Sequence, residues 1–254
     1  EASLYGDYVL IALDTQRDQL LLGRSNTGGI LSMDPGSDRL ETWLEDPQVN
    51  DLRYQPSRDL LYVDDDRGYA QGFSMTSKTP VNQIFEQATY SGPLGTSGNA
   101  WSAFNIDPDG ALIMCGRYIG GGNSGSFHGA TRTDNDGNHT LLAGTYDGSS
   151  PDGVLATEAS FDDLNGIAMD AAGNLYLSEQ DLHVVLRVDA ETGLVSTLMG
   201  TSGSAGKAGD FGPSDQASLN TPRDLEVTAD GHLVIREHGN RSIRMIWDVE
   251  NWEP

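Results

Sequence analysis

Short apolar runs, four to a group and separated by tight polar turns, recur along this chain, and that recurrence limits its fold more than any single residue does. The clearest group is residues 164–198, LNGIAMDAAGNLYLSEQDLHVVLRVDAETGLVSTL. Its runs GIAMD, NLYLSE, HVVLRVD and LVSTL have the length and β-branched content of strands. Between them stand AAGN, Gln180-Asp181 and AETG, and the glycines and asparagine at these turns tolerate positive φ, so consecutive strands fold back antiparallel. A lone four-stranded meander cannot bury both faces, so the sequence is expected to hold copies that pack face to face.

The copies are there. Residues 8–45 read YVLIALD, QLLLGR, GGILSMD and RLETWLE; residues 50–87 read NDLRYQ, DLLYVDD, YAQGFSMT and PVNQIFEQ. Residues 101–143 give WSAFNID, ALIMCGR, FHGATRTD and HTLLA, with a Gly-rich insertion, IGGGNSGS, between the second and third runs. After 164–198, residues 222–249 supply RDLEVT, HLVIRE and SIRMIWDV and then stop. Five copies at intervals of about 50 residues predict an all-β fold, a β-propeller of four-stranded antiparallel blades in a single domain, 1–254. Residues 2–5 are the expected fourth strand of the last blade, closing the ring. A degenerate sixth blade within 88–101 or 144–163 is the alternative count.

Composition narrows the partners. The formal charge is −23 and the lysines are Lys78 and Lys207, so a polyphosphate chain would be repelled over most of the surface and nucleic acid is excluded as a partner. No apolar run approaches the roughly 20 residues of a bilayer-spanning helix. Residues 1–3 lack the charged start and apolar stretch of a signal peptide. The single Cys115 precludes an internal disulfide, which suits the cytoplasm and equally an exported protein that needs no staples.

The fourth and fifth copies, GIAMDAAGNLYLSEQDLHVVLRVDAETG and PRDLEVTADGHLVIREHGNRSIRMIWD, resemble NHL repeats: an apolar strand, D-x-x-G-N, an LYV-type strand, a short polar turn and an R-I-R-x-W/V strand. The preceding loops, PDGVLATEASF and AGDFGPSDQASLNTP, resemble the insertions between bacterial NHL repeats. In cadence the first three copies also resemble the related gluconolactonase or regucalcin-like propellers, most of which have six blades. The resemblance implies a propeller whose relatives include lactonases, phosphotriesterases, amidating lyases and interaction scaffolds. It favours a periplasmic or secreted monomer over a cytoplasmic one.

Superposing the copies on the turn before the second strand aligns Val9, Asn50, Ser102, Asn165 and Arg223 at the start of the innermost strand, followed by Leu10, Asp51, Ala103, Gly166 and Asp224. The gluconolactonase-like resemblance implies calcium, or another divalent metal, at this channel mouth, held by a glutamate, two asparagines and an aspartate. Asn50 and Asn165 fall where the asparagines would, with Asp51 and Asp224 beside them, and such hard oxygens suit a divalent cation. Val9, near the glutamate's place, cannot ligate. Arg223 occupies the aspartate's place, where it would repel a metal or hold an anionic substrate. The alternative role for Asn50 and Asn165 is to satisfy backbone groups at the strand start.

A second ring follows from the end of the second strand: Arg24, Asp65, Gly116, Glu179 and Glu237, with Asp64, Arg117, Arg236 and His238 alongside. These charges form interblade ion pairs, or else a crowded carboxylate such as Asp65 or Glu179 has a raised pKa and acts as a general base. Other groups signal less. Cys115 reads as a buried thiol, His238 as part of a turn, and His128, His139, His183 and His232 lack zinc-type spacing. Residues 134–138, DNDGN, read as a hairpin turn. The insertion 118–127, with loops 145–161 and 201–220, forms a rim or lid, or is unconstrained surface loop.

Two functions fit. One is a metal-assisted hydrolase of a small ester, lactone or phosphotriester, with calcium held by Asn50, Asp51, Asn165 and Asp224 and chemistry carried by Asp65, Glu179 and Arg223. The other is an NHL-type scaffold that binds a protein or glycan on its loop face.

Overall fold

A computed structural model describes residues 8–14, 16–24, 28–33, 40–45, 49, 51–56, 58–65, 69–86, 96–120, 126–134, 136–145, 151–249 and 252. The chain divides into two compact units, residues 1–88 and 89–254.

The first unit holds two antiparallel sheets. One is β1 (Tyr8–Asp14), β2 (Gln19–Arg24), β3 (Ile30–Met33) and β4 (Leu40–Leu44); the other is β5 (Asp51–Gln55), β6 (Leu60–Asp65), β7 (Tyr69–Ser74) and β8 (Pro80–Glu86). Alternation along the strands sends Leu21 and Ile30 of the first sheet, and Leu52, Leu61 and Val63 of the second, into one shared core. Tyr62, on the opposite face of β6, is also buried and donates its hydroxyl to Gln55 Oε1 (3.2 Å).

The second unit holds three sheets. They are β9 (Thr96–Ile106), β10 (Leu112–Gly120), β11 (Ser126–Thr133) and β12 (His139–Ala143); β13 (Leu164–Met169), β14 (Leu175–Glu179), β15 (Val184–Val188) and β16 (Val195–Gly200); and β17 (Pro222–Val227), β18 (Leu233–Glu237) and β19 (Ser242–Ile246). The β13–β14 turn shows why the repeat folds as it does. Asp170 Oδ1 accepts the Asn174 N–H (2.8 Å), and Gly173 takes φ 90°, which a side chain would resist. Period-2 alternation then sends Leu175 and Leu177 toward Ile113, Cys115 and Ala130 of the β9–β12 sheet. Tyr176 and Val185 face the other way, toward Leu225, Leu233 and Ile235. The first strands β9, β13 and β17 lie side by side, tied by Asn105, whose Nδ2 donates to Ile167 O (3.3 Å) and Glu226 Oε2 (3.1 Å).

Two expectations change. The third blade starts at Thr96 rather than at residue 101. The Gly-rich insertion is not a lid over its described length, because β10 continues to Gly120, pairing Ile119 with Ser126 and Gly120 with Thr96. Pairing of Gly120 with Thr96 of β9 outweighs the weak strand propensity of glycine. Residues 151–163 hold turns and one 3-10 helix (Ala156–Glu158), so they contain no further blade. The fifth sheet has three strands among the described residues. Its expected fourth strand, 2–5, lies outside them.

Candidate functional site

The first strands share a local irregularity. β1, β13 and β17 each carry a β-bulge near the start and β9 carries one in mid-strand, and the residues set apart are Val9, Asn165, the pair Arg223-Asp224 and, in β9, Ser102. A bulge re-aims the side chain it carries, so the aligned position is one the backbone itself marks out. In the second blade Asp51 pairs with Asp64 in regular register; Asn50 lies outside the described residues, and of the Asp51, Asp64, Asp65 and Arg24 side chains nothing is described.

Around the β13 and β17 bulges the second unit builds a connected polar network. Arg223 Nε donates to Gln180 Oε1 (2.6 Å), and Gln180 Nε2 donates to Asp163 Oδ2 (2.9 Å). The Gln180 N–H also donates to Asp163 O (3.0 Å). Ser178 Oγ donates to Arg223 O (2.6 Å), fixing the backbone of the bulge. Gly166 makes this approach possible: a Cβ there would stand 1.7 Å from Arg223 O. Asp224 turns its carboxylate to Arg236 on β18, a pairing within one blade rather than between two. His128 Nδ1 stands 3.9 Å from Asp163 Oδ1.

Glu179, at the end of β14, is fully buried. Its Oε1 accepts the backbone N–H of Asp162 (2.9 Å) and that of Asp163. Its Oε2 is buried with no hydrogen-bond partner. Burial pushes the carboxyl up to about 7, against the pull of the two N–H donors and with a further push from the charges of Asp162 and Asp163. Glu237, at the same position in the next blade, is satisfied throughout. Its Oε2 accepts the Asn220 N–H (2.8 Å) and Asn240 Nδ2 (2.7 Å), and its Oε1 accepts the Ser242 hydroxyl (3.3 Å).

Cys115 lies in the same neighbourhood. Burial, then the charges of Glu179, Asp163 and Asp224, push its thiol far above the ordinary range, so it is no nucleophile. Burial also lowers the His128 imidazole, with Asp163 pulling the other way. Its Nδ1 is buried without a hydrogen bond. Three other histidines bond locally: His183 Nδ1 accepts the Thr221 N–H (3.1 Å), His232 Nδ1 accepts the Asp248 N–H (3.0 Å), and His139 Nδ1 bonds the Thr133 hydroxyl (2.8 Å), while His238 sits in a turn through its backbone, its carbonyl accepting the Arg241 N–H (3.3 Å). Asp134 closes the DNDGN hairpin by accepting the N–H groups of Asp136 and Asn138.

Of the candidate residues, the second unit thus brings Asn165, Glu179, Arg223 and Asp224 to one end of its sheets. Gln180, Asp163 and Ser178, which hold Arg223, carry no sequence signal: Gln180 reads as an ordinary turn residue. Among the described residues no group of three or more His, Cys, Asp or Glu side chains is arranged to hold a metal ion. Asn165 offers an amide oxygen, but Asp224 is already neutralised by Arg236 and flanked by Arg223, so this described pair alone does not fit a divalent cation.

No family model matches the chain. Human teneurin-4 is 34% identical over a stretch covering 36% of this chain and 4% of the teneurin, so the match spans a small fraction of that protein. Solved structures extend the likeness over nearly the whole chain. An auxiliary nutrient-binding protein of Bacteroides thetaiotaomicron superposes with a TM-score of 0.63 at 14% identity, covering 94% of this chain and 58% of that one. A structural-genomics protein described as a candidate gluconolactonase superposes with a TM-score of 0.59 at 12% identity, covering 95% and 74%. Likeness at such identities defines the fold: the protein is a five-bladed β-propeller, all-β, of the kind found in gluconolactonase-like and nutrient-binding structures.

Proposed function

We propose that the protein hydrolyses a small ester or lactone at the strand-start end of its second unit, with Glu179 as the general base. One observation carries the reading: a buried carboxylate, oriented by two N–H donors on one oxygen, keeps its other oxygen bare at a pKa of about 7. At neutral pH such a group is half ionised, so it both accepts and returns a proton. A bare buried oxygen is also a place where a water binds. Glu179 takes a proton from that water as its oxygen attacks the carbonyl carbon. The bond from that carbon to the alcohol oxygen then breaks, and the departing alkoxide recovers the proton from Glu179.

The candidate gluconolactonase among the structural neighbours supports lactones as the first substrates to assay, with phosphotriesters as the outer limit of the class. Assay against a panel of esters, lactones and phosphotriesters tests the proposal. Turnover should rise with pH through about 7, and Glu179→Gln should lower kcat by at least about 100-fold with the fold intact. Absence of turnover across the panel, or a Gln variant equal to wild type, overturns it. Metal assistance is a separate proposal: calcium bound in a 1:1 ratio to the purified protein and released by Asn165→Ala supports it, and a protein purified free of divalent metal overturns it.

A second reading, a scaffold for a protein or glycan partner, is favoured by the exposed apolar side chains around β19. Ile243 and Trp247 are largely exposed, and Phe211 stands fully in solvent at φ 65° beside Asp210, which pairs with Arg244 of β19 (2.8 Å). The nutrient-binding neighbours support an extracytoplasmic location under either reading.

A further inference from the structure

We infer that Arg223 anchors a carboxylate on the ligand, so that the substrate class is an ester or lactone that carries a free carboxylate besides the acyl group that reacts; this rests on the reading of the strand-start end as the ligand site. The chain carries a formal charge of −23, and five of its described arginines are matched with carboxylates. Arg17 pairs with Asp59, Arg132 with Asp107, Arg187 with Asp189, Arg236 with Asp224 and Arg244 with Asp210. Arg223 is instead clamped through Nε by a neutral amide, Gln180. Among the described residues its two terminal nitrogens have no partner. A half-buried guanidinium left with its charge uncompensated is costly, and a bound anion removes that cost.

The surrounding bonds keep the guanidinium in this condition. Asp163, the nearby carboxylate that could neutralise Arg223, is directed at Gln180 Nε2 and stands beside His128, so it reaches Arg223 only through the amide. Asp224, next in the chain, is taken by Arg236. Ser178 fixes the Arg223 carbonyl, and the bare Cα of Gly166 lets β13 close on it. The fork is therefore held in place before any ligand arrives, which saves ordering entropy on binding. Two terminal nitrogens in one plane match the two oxygens of a carboxylate. The overall negative charge penalises a dianionic phosphate more than a monoanion. Asn165 and Ser102, set apart by the bulges of the two preceding first strands, add an amide and a hydroxyl suited to a ligand's own hydroxyl groups.

Calorimetric titration of sodium gluconate, against its uncharged counterpart glucitol and against inorganic phosphate, tests the anchor. Gluconate should bind wild type in preference to both. Arg223→Gln should weaken it at least about tenfold, and Arg223→Lys, which keeps the charge but loses the fork, should restore only part of the affinity. Melting curves of both variants verify that they fold. Equal binding of gluconate and glucitol, stronger binding of phosphate, or gluconate affinity unchanged in Arg223→Gln overturns the inference. The readout needs no turnover, so the two proposals fail separately. Arg223-dependent gluconate binding in a protein that hydrolyses nothing removes the hydrolase and keeps the anchor. Glu179-dependent hydrolysis of uncharged lactones with no gluconate binding does the reverse.

Discussion

Glu179 and Glu237 occupy the same place in adjacent blades and have different fates. Each ends a second strand, each is buried, and each accepts a backbone N–H from the segment leading into its own first strand, 17 residues earlier in both cases. Both carboxylates are therefore tethers for the incoming chain. They differ in the third strand. Ser242 and Arg244 of β19 stand by Glu237, whereas the equivalent positions of β15 are Val184 and Leu186, which bring no donor to Glu179. One tether is fully occupied and the other keeps a bare oxygen. A shared structural role and a spare chemical capacity can thus reside in one repeat position, with the neighbouring strand deciding between them.

The comparison breaks most visibly in the dependence of stability on pH. Because the Glu179 carboxyl is raised from 4.5 to about 7 in the folded protein, ionising it costs the folded state. That penalty is absent below the unfolded value and complete above the folded one, so stability falls as pH rises through this window. Glu179→Gln should remove the penalty, stabilising the protein by up to about 3 kcal/mol at alkaline pH and by nothing in acid, as chemical denaturation at several pH values would show. A Gln variant destabilised at every pH would mean that Glu179 is a tether alone. Glu237→Gln should behave oppositely, losing about 2 kcal/mol near neutral pH because an amide NH2 would face groups that themselves donate. The smallest effect should come from Val184→Ser, which gives Glu179 the hydroxyl that Ser242 gives Glu237. NMR titration should find the Glu179 carboxyl about one unit lower, and an unmoved value would show that the third strand does not set the difference.

Much of the fold was legible. Alternating runs bounded by polar turns located strands in all five sheets, and the three runs of the last copy are the three strands of its sheet among the described residues. The ends of the Gly-rich insertion were not legible as strand, because composition reports flexibility, whereas Gly120 is held by its ladder partner Thr96, far from it in the chain. Glu179, Arg223, Asn165 and Asp224 were singled out as candidates by superposing repeats, which works because pairing register repeats from blade to blade. Gln180 and Asp163 were not, because neither belongs to the repeated pattern.

The sequence by itself determined the sheets, their turns and the equivalence of Glu179 with Glu237, since strand periodicity and turn chemistry act over a few residues. Only the tertiary structure decided which carboxylate oxygen stays bare and that Arg223 is held by an amide rather than a carboxylate. Those outcomes depend on groups brought together from distant positions, such as Arg223 and Gln180, 43 residues apart, and the burial that turns an unpaired oxygen into a pKa near 7 exists only once the blades have packed.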